Sequence, residues 1–287
     1  MQGNGRLSRL VKGLPLGSSW IGGVARYVLD RRNMDGGYAF CQGLESNVQD
    51  TYYGLAILDL LGVPPPNIEE TVGWLRGFKE YDLYSSYYVA KALRICGEEP
   101  DVEGLRGFIG SLPIVHGEFR VEDVYVEAAS ELHPVYMVVE LAGLAGVELD
   151  RERLIGWLLR FKNRDGGFGI HRYSNLNATY HAVASLDRLG FPVGSLRETL
   201  SFVRACERPS GGYTATPRSY GVYMEHVYYG VSLLELMGED PGFPEETAEF
   251  IHGCRNSNGG FARSSLGIST FEDTFYAVST LEKMGRL

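Results

Sequence analysis

The stretch that decides the fold runs from residue 163 to residue 190 and reads NRDGGFGIHRYSNLNATYHAVASLDRLG. It begins with a turn signal, Asp165-Gly166-Gly167, and the aromatic Phe168 follows at once. An apolar segment then begins at Tyr180 and stops at Gly190. Because a glycine just after an apolar segment is a common end of a helix, the stretch predicts a turn, a loop and a helix.

The same pattern occurs six times along the chain. Each copy has an aromatic residue ten positions before a glycine, and the pairs are Tyr52–Gly62, Tyr87–Gly97, Tyr136–Gly146, Tyr180–Gly190, Tyr228–Gly238 and Phe275–Gly285. Subtraction of successive glycine numbers gives spacings of 35, 49, 44, 48 and 47 residues. Gly-Gly-aromatic turns precede four of the copies, and Gly117-Glu118-Phe119 is a degraded version. Periods of this length indicate repeats, so we predict six units.

Each unit is predicted to contain two helices. The first is amphipathic, as between Ile68 and Lys79, and Ser195-x-x-Glu198 is typical of a capping box at a helix start. The second is apolar nearly all round and needs cover on every side. We therefore predict an all-α protein, an α/α toroid of six helical hairpins with an inner and an outer ring of helices. An open solenoid is the alternative. Residues 1–17 are predicted to form an N-terminal arm, and residues 18–287 a single toroid domain.

Composition limits the classes of function. The chain has 287 residues, 44% of them hydrophobic, and a formal net charge of −9. The acidic balance argues against nucleic acid as a partner. Since no run of eighteen apolar residues occurs, the chain is not expected to span a membrane. The four cysteines show no CxxC spacing, so we expect reduced thiols and a cytoplasmic location.

Polar residues stand just before each repeated aromatic, at the predicted start of the inner helices. They are Gln49, Asp50, Ser85, His133, Asn177, Glu225, His226, Glu272 and Asp273. Asp50 and Asp273 fit ordinary first-turn carboxylates, which the helix dipole stabilises. Glu225, His226 and Asp273 are the candidate catalytic residues, since carboxylates and histidines move protons.

Basic residues follow the Gly-Gly turns and predict an anion site. They are Arg120, His171, Arg172, Arg218 and Arg263. Together with the positive ends of the inner helices they suit a phosphate or diphosphate. The alternative is that these arginines pair with the nearby acidic residues.

Aromatic residues should line a central cavity below these basic residues. The repeated tyrosines Tyr52, Tyr136, Tyr180 and Tyr228 are its candidate wall. Such a wall suits a long apolar chain and stabilises positive charge. An anion site above an aromatic cavity fits an isoprenoid diphosphate, because ionisation needs a stabilised leaving group and a shielded cation.

The repeats resemble those of the prenyltransferase and squalene-cyclase family. The resemblance rests on residues 163–168 with 178–183, and on residues 258–261 with 273–278, and it extends over almost the whole chain. Its six units look most like the β subunits of protein prenyltransferases, especially the geranylgeranyl type.

The resemblance implies an α-helical partner subunit. It also implies zinc, held by an Asp-x-Cys pair and a histidine. His226 lies within one position of that histidine, but Asn177-Ala178-Thr179 has neither the Asp nor the Cys. Nothing in the sequence indicates magnesium.

Three functions follow. The leading one is a prenyltransferase-like enzyme in which the basic residues hold the diphosphate, while His226 with Glu225 binds a metal or acts as a base. The second is a non-catalytic isoprenoid-binding or scaffold toroid. The third is a carbohydrate-active toroid that uses two carboxylates among Asp50, Glu225, Glu272 and Asp273.

Overall fold

The structure is a computed structural model that describes residues 19–78, 82–112, 130 and 132–287. In these ranges the chain forms α-helices and short 3-10 turns, and extended segments pair only as isolated bridges. The helices are α1 (Trp20–Leu29), α2 (Val48–Leu60), α3 (Ile68–Leu75), α4 (Leu83–Ile95), α5 (Val102–Ser111), α6 (His133–Ala145), α7 (Arg151–Leu159), α8 (Leu176–Arg188), α9 (Arg197–Cys206), α10 (Met224–Leu236), α11 (Pro244–Gly253) and α12 (Phe271–Lys283). None of these helices is long and apolar enough to cross a membrane. The predicted arm over residues 1–17 lies outside the described residues.

The even-numbered helices are the predicted second helices of the repeats. Each has thirteen residues, and each is followed within two residues by one of the six glycines. These glycines have φ between 63° and 85°, a left-handed conformation that favours glycine. In α2, nine of the thirteen residues are buried. The prediction of apolar helices that end in glycine is confirmed.

The odd-numbered helices from α3 to α11 bury one side only, whereas in α1 only Arg26 is exposed. In α9 the buried residues are Thr199, Phe202, Val203 and Cys206, which recur at helical spacing.

Two local predictions are wrong. Helix α3 ends at Leu75, before Lys79. Ser195 does not cap α9, because its hydroxyl donates to the Pro192 carbonyl at 2.7 Å inside a separate 3-10 turn.

Hydrogen bonds tie three of the four Gly-Gly turns to the even-numbered helices that follow them. The Asp165 carboxylate accepts from the Gly167 N–H at 3.1 Å and from the Ser174 hydroxyl at 2.7 Å. The Phe168 N–H donates to the Thr179 hydroxyl at 2.9 Å. The pairs Tyr38–Thr51 and Phe261–Thr274 repeat the second bond at 3.0 Å. The sequence repeat therefore reflects a repeated junction between turn and helix.

The first glycine of the turn lies against the next odd-numbered helix. A Cβ on Gly166 would lie 2.1 Å from the Glu198 carbonyl oxygen in α9. A Cβ on Gly259, in the last repeat, would lie 2.2 Å from the Gly23 carbonyl oxygen in α1. The contact that joins one repeat to the next is thus also made between the last repeat and the first.

The described residues form two compact units. The first contains residues 19–78, 88–100 and 250–287, and the second contains residues 82–87, 101–112, 130 and 132–249. In the first unit α2 packs against both α1 and α12. In the second unit α8 packs between α6 and α10, with α7 and α9 also against α8 and α5 against α6.

Candidate functional site

The even-numbered helices begin three or four residues before the repeated aromatics, so the polar row occupies the first helical turn. Asn47 caps α2, because its side-chain oxygen accepts from the Asp50 N–H at 2.8 Å. The Asp50 carboxylate in turn accepts from the Asn47 amide at 2.6 Å. In α12 the Thr270 hydroxyl accepts from the Asp273 N–H at 3.0 Å and donates to its carboxylate at 2.7 Å. Both aspartates are therefore engaged at helix starts, as expected of first-turn carboxylates.

In the second unit the repeated tyrosines of neighbouring helices are in contact. Tyr136 of α6 and Tyr180 of α8 have ring centroids 5.9 Å apart. Tyr180 also lies 5.8 Å from Tyr228 and stacks on Tyr229 of α10 at 4.8 Å. Tyr136, Tyr180 and Tyr229 are buried, and Tyr228 is partly exposed. The rings thus form a continuous aromatic cluster on α6, α8 and α10.

A histidine pair lies inside this cluster. The His133 ring, at the start of α6, stacks on the His181 ring of α8 with centroids 4.3 Å apart. The Ser130 hydroxyl lies 2.8 Å from Nδ1 of His181. Burial, together with the neighbouring His133, holds the pKa of His181 well below its usual value. His181 is therefore a neutral imidazole in the folded protein near pH 7.

This low pKa predicts a pH-dependent stability. Below about pH 6.5 the unfolded chain binds a proton at His181 that the folded chain does not bind. The free energy of unfolding therefore decreases as the pH is lowered through this range. His181→Tyr places at this position the residue found in four other repeats, Tyr53, Tyr88, Tyr229 and Tyr276. Urea unfolding should show that the variant loses less stability than wild type between pH 7 and pH 5, by up to about 1.4 kcal/mol per pH unit.

The exposed His171→Gln is the matched control for that experiment. It should keep the wild-type pH dependence. An unchanged slope in His181→Tyr would show that the acid sensitivity arises elsewhere.

The first unit has its own aromatic cluster, on α2, α4 and α12. Tyr53 lies 5.1 Å from Tyr52, 5.9 Å from Tyr88 and 5.3 Å from Phe275, measured between ring centroids. The ammonium of Lys91 lies 5.2 Å from the Tyr52 centroid, within range of a cation–π contact.

A carboxylate also lies at the edge of this cluster. Glu272 accepts hydrogen bonds from the hydroxyls of Tyr53, at 3.1 Å, and Tyr276, at 2.9 Å. The apolar faces of these two rings therefore pack in the cluster while their polar ends are satisfied.

The basic residues predicted to bind an anion lie on loops. His171, Arg172, Arg218 and Arg263 are exposed, whereas Arg120 lies outside the described residues. In the second unit, the Leu176 N–H at the start of α8 donates to the Ala215 carbonyl at 2.8 Å. The loop that carries Arg218 therefore lies against the start of α8. The loop that carries His171 and Arg172 leads into the same helix start.

The backbone around His171 and Arg172 is strained. Their φ values are 51° and 67°, in the left-handed region that non-glycine residues avoid. Strain of this kind costs about 1–3 kcal/mol per residue and is often found at functional sites. The Arg218 loop, by contrast, is held by Arg208, whose guanidinium donates to the Thr214 hydroxyl at 2.7 Å and the Pro217 carbonyl at 2.9 Å.

His226 and Glu225 lie in the first turn of α10. The His226 side chain is buried, and its Nε2 lies 3.8 Å from the nearer Glu225 carboxylate oxygen. The Tyr223 ring lies 5.7 Å from the His226 ring, between centroids. A buried imidazole beside a carboxylate can accept and hold a proton.

The donor set does not fit the zinc ion that the resemblance implies. Among the described residues, no group of three His, Cys, Asp or Glu side chains could hold a metal ion. Burial raises the pKa of Cys206 to about 12 and that of Cys254 to about 11, so without a bound metal both are protonated thiols near pH 7.

Sequence reasoning missed two residues of the clusters, His181 and Lys91. Each lies near the middle of an even-numbered helix, His181 in α8 and Lys91 in α4. The signal in the sequence was their position: His181 replaces the tyrosine that follows the repeated aromatic in other repeats, and Lys91 follows Tyr87 by one helical turn.

Comparisons with known proteins agree on the fold. The model of the prenyltransferase alpha-alpha toroid domain matches residues 10–80 and 135–287. The structure of Candida albicans protein geranylgeranyltransferase-I complexed with GGPP is similar, with a TM-score of 0.70 and 15% identity over 92% of this chain and 90% of that one. A variant of the Scytonema type II terpene cyclase MstE, in complex with merosterolic acid A, has a TM-score of 0.53 and 12% identity over 93% and 95% of the two chains. No curated protein matches the sequence. The predicted all-α class and α/α toroid are confirmed.

Proposed function

Because the chain belongs to the prenyltransferase alpha-alpha toroid family, we propose that it binds an isoprenoid diphosphate and transfers the prenyl group to an acceptor. The observation on which this proposal chiefly rests is the aromatic cluster of the second unit, next to loops with exposed arginines. The GGPP in the similar Candida albicans structure supports the same ligand class.

The prenyl chain is proposed to lie against the tyrosine rings. Tyr136, Tyr180 and Tyr228 of the second unit offer it flat apolar faces. Tyr52 is a separate candidate within the aromatic cluster of the first unit. Such faces bind a long unsaturated chain and stabilise an allylic cation through the ring quadrupole. Exclusion of water by the rings would protect that cation from hydrolysis.

The diphosphate is proposed to bind the basic loops. His171, Arg172 and Arg218 belong to the second unit, where the positive end of α8 adds to their charge. Arg263 is the corresponding residue of the first unit, and Arg120 is a further candidate. Guanidinium groups donate paired hydrogen bonds to phosphate oxygens, which stabilises the charge that develops when the bond from carbon to oxygen breaks.

His226 is proposed to act as the base on the acceptor. As the acceptor attacks the first carbon of the prenyl chain, its proton passes to the imidazole and diphosphate leaves. Glu225, 3.8 Å away, would stabilise the imidazolium that forms. This role needs no metal.

A titration of the purified protein with geranylgeranyl and farnesyl diphosphate tests the proposal. We expect saturable binding of at least one of them. Absence of saturable binding would overturn both the enzyme and the non-catalytic alternative. Binding without transfer to any acceptor would favour the non-catalytic toroid.

Removal of one diphosphate ligand should weaken this binding. Arg218→Gln deletes a charge-assisted hydrogen bond worth about 1.5–3 kcal/mol, so the dissociation constant should rise about tenfold or more. Arg197→Gln removes an exposed charge on the outer helix α9 and is the matched control. Equal losses in both variants would mean that only the net charge matters.

The remaining elements of the proposal rest on the sequence. An α-helical partner subunit follows from the resemblance, and a cytoplasmic location from the cysteines, none of which forms a disulfide among the described residues. The carbohydrate-active alternative would use two carboxylates among Asp50, Glu225, Glu272 and Asp273. Hydrogen bonds engage those of Asp50, Glu272 and Asp273, and no observation favours the alternative.

A further inference from the structure

Large apolar side chains project into solvent from the loops that follow the Gly-Gly turns. In the second unit, Tyr173 is 79% exposed and Tyr220 is 98% exposed. In the first unit, Leu266 is 98% exposed and Ile268 is 73% exposed. A single exposed apolar side chain is ordinary on a protein surface, but recurrence at equivalent loops is not expected of scattered surface residues.

These loops also have a charge unlike that of the whole chain. Residues 169–175, 213–222 and 262–270 contain no Asp or Glu, although the chain has 36 of them. Each loop contains one arginine, Arg172, Arg218 or Arg263, and all three are exposed. Because the net charge is −9, the loops are local basic patches on an acidic protein.

The loops hold these side chains outward in a fixed geometry. Arg208 donates to the carbonyls of Pro217, at 2.9 Å, and Ser219, at 3.1 Å, which fixes the loop on which Tyr220 lies. Thr214 pairs with Val222 across the base of the same loop, and Ala262 pairs with Ser269 in the loop of Leu266. The apolar side chains are therefore preorganised for contact and do not fold back on the protein.

We propose that the two loops of the second unit, with Tyr173 and Tyr220 exposed beside Arg172 and Arg218, dock on the surface of a membrane that contains anionic lipids. Tyrosine is enriched where membrane meets water, because its ring enters the apolar layer while its hydroxyl stays hydrated. Arginine beside it pairs with anionic headgroups. Single apolar tips, each near an arginine, suit shallow insertion better than they suit a protein interface, which needs a continuous buried area. Arg172 and Arg218 are shared with the proposed diphosphate site, and binding to vesicles without any prenyl diphosphate distinguishes the two roles.

Vesicle co-sedimentation of the full chain tests this proposal. The probes are vesicles of phosphatidylcholine alone and of phosphatidylcholine with about 30% phosphatidylglycerol. We expect sedimentation with the anionic vesicles, reduced by high salt, and little with the neutral ones. A protein that stays in the supernatant with anionic vesicles would overturn the proposal and point to a protein partner for the loops.

Two substitutions locate the contact. Tyr173→Ser and Tyr220→Ser should each weaken binding to anionic vesicles about tenfold, because each removes one inserted side chain. Met34→Ser is the matched control, since Met34 is 100% exposed but lies in a Gly-Gly turn beside Asp35. Because all three side chains are exposed, the variants should stay folded, and melting curves check it. A loss in Met34→Ser equal to that of the loop variants would contradict the assignment.

Discussion

Gly259→Ala is expected to destabilise the protein by at least about 3 kcal/mol. The residue has φ +94°, which an alanine adopts only under strain of about 1–3 kcal/mol. Its Cβ would also lie 2.2 Å from the Gly23 carbonyl oxygen, so that α1 and the last turn must move apart. Backbone on both sides leaves no flexible side chain to absorb the clash. Urea unfolding followed by circular dichroism measures the loss.

Gly190→Ala is the matched control for this prediction. Gly190 has a similar φ, +85°, but a methyl group on its Cα would point into open space. Its substitution should cost only the backbone strain. If both variants lose the same free energy of unfolding, the close contact between the last repeat and the first adds nothing to the cost of the Gly259 substitution.

His226→Gln is expected to lower prenyl transfer about 100-fold or more and to leave the affinity for prenyl diphosphate unchanged. Glutamine retains a polar side chain of similar reach but cannot accept the acceptor's proton, and general-base catalysis typically contributes about 10²- to 10⁴-fold. The measurement is the rate at which labelled geranylgeranyl groups reach thiol, amine and phenol acceptors.

The control for that measurement is His252→Gln, on the exposed side of α11. It should transfer at the wild-type rate. A parallel loss of binding and transfer in His226→Gln would assign His226 to substrate binding, and full activity would remove it from the reaction.

The repeats can be recognised from the sequence because their signals are local. The glycine that ends a helix and the repeated aromatic residue before it are both required by contacts between residues close together in the sequence. Thr179 is an example: its place before Tyr180 is explained by the hydrogen bond that its hydroxyl accepts from the Phe168 N–H. The same bond explains Thr51 and Thr274.

Helix starts are harder to predict than helix ends. The caps of α2 and α8 are Asn47 and Asn175, whose side chains accept from the N–H three residues on. An asparagine among polar loop residues is not a distinctive signal, so the sequence alone does not place the first turn in the helix. Ser195 matches a capping pattern, but its hydroxyl bonds to Pro192 in a separate turn.

The candidate site can be predicted only as residue types. The repeated tyrosines and loop arginines follow from the periodicity. His181 and Lys91 do not, because the type of a residue inside a helix does not reveal which side chains of neighbouring helices surround it. The stacking of His181 on His133, at 4.3 Å, depends on how α6 packs against α8.

A crystal structure of the protein with geranylgeranyl diphosphate tests the central claim most directly. We predict prenyl carbons in van der Waals contact with the rings of Tyr136 and Tyr180, and phosphate oxygens within hydrogen-bond distance of Arg172 and Arg218. Density that leaves these rings packed only on one another, with the ligand absent or held elsewhere, would contradict it.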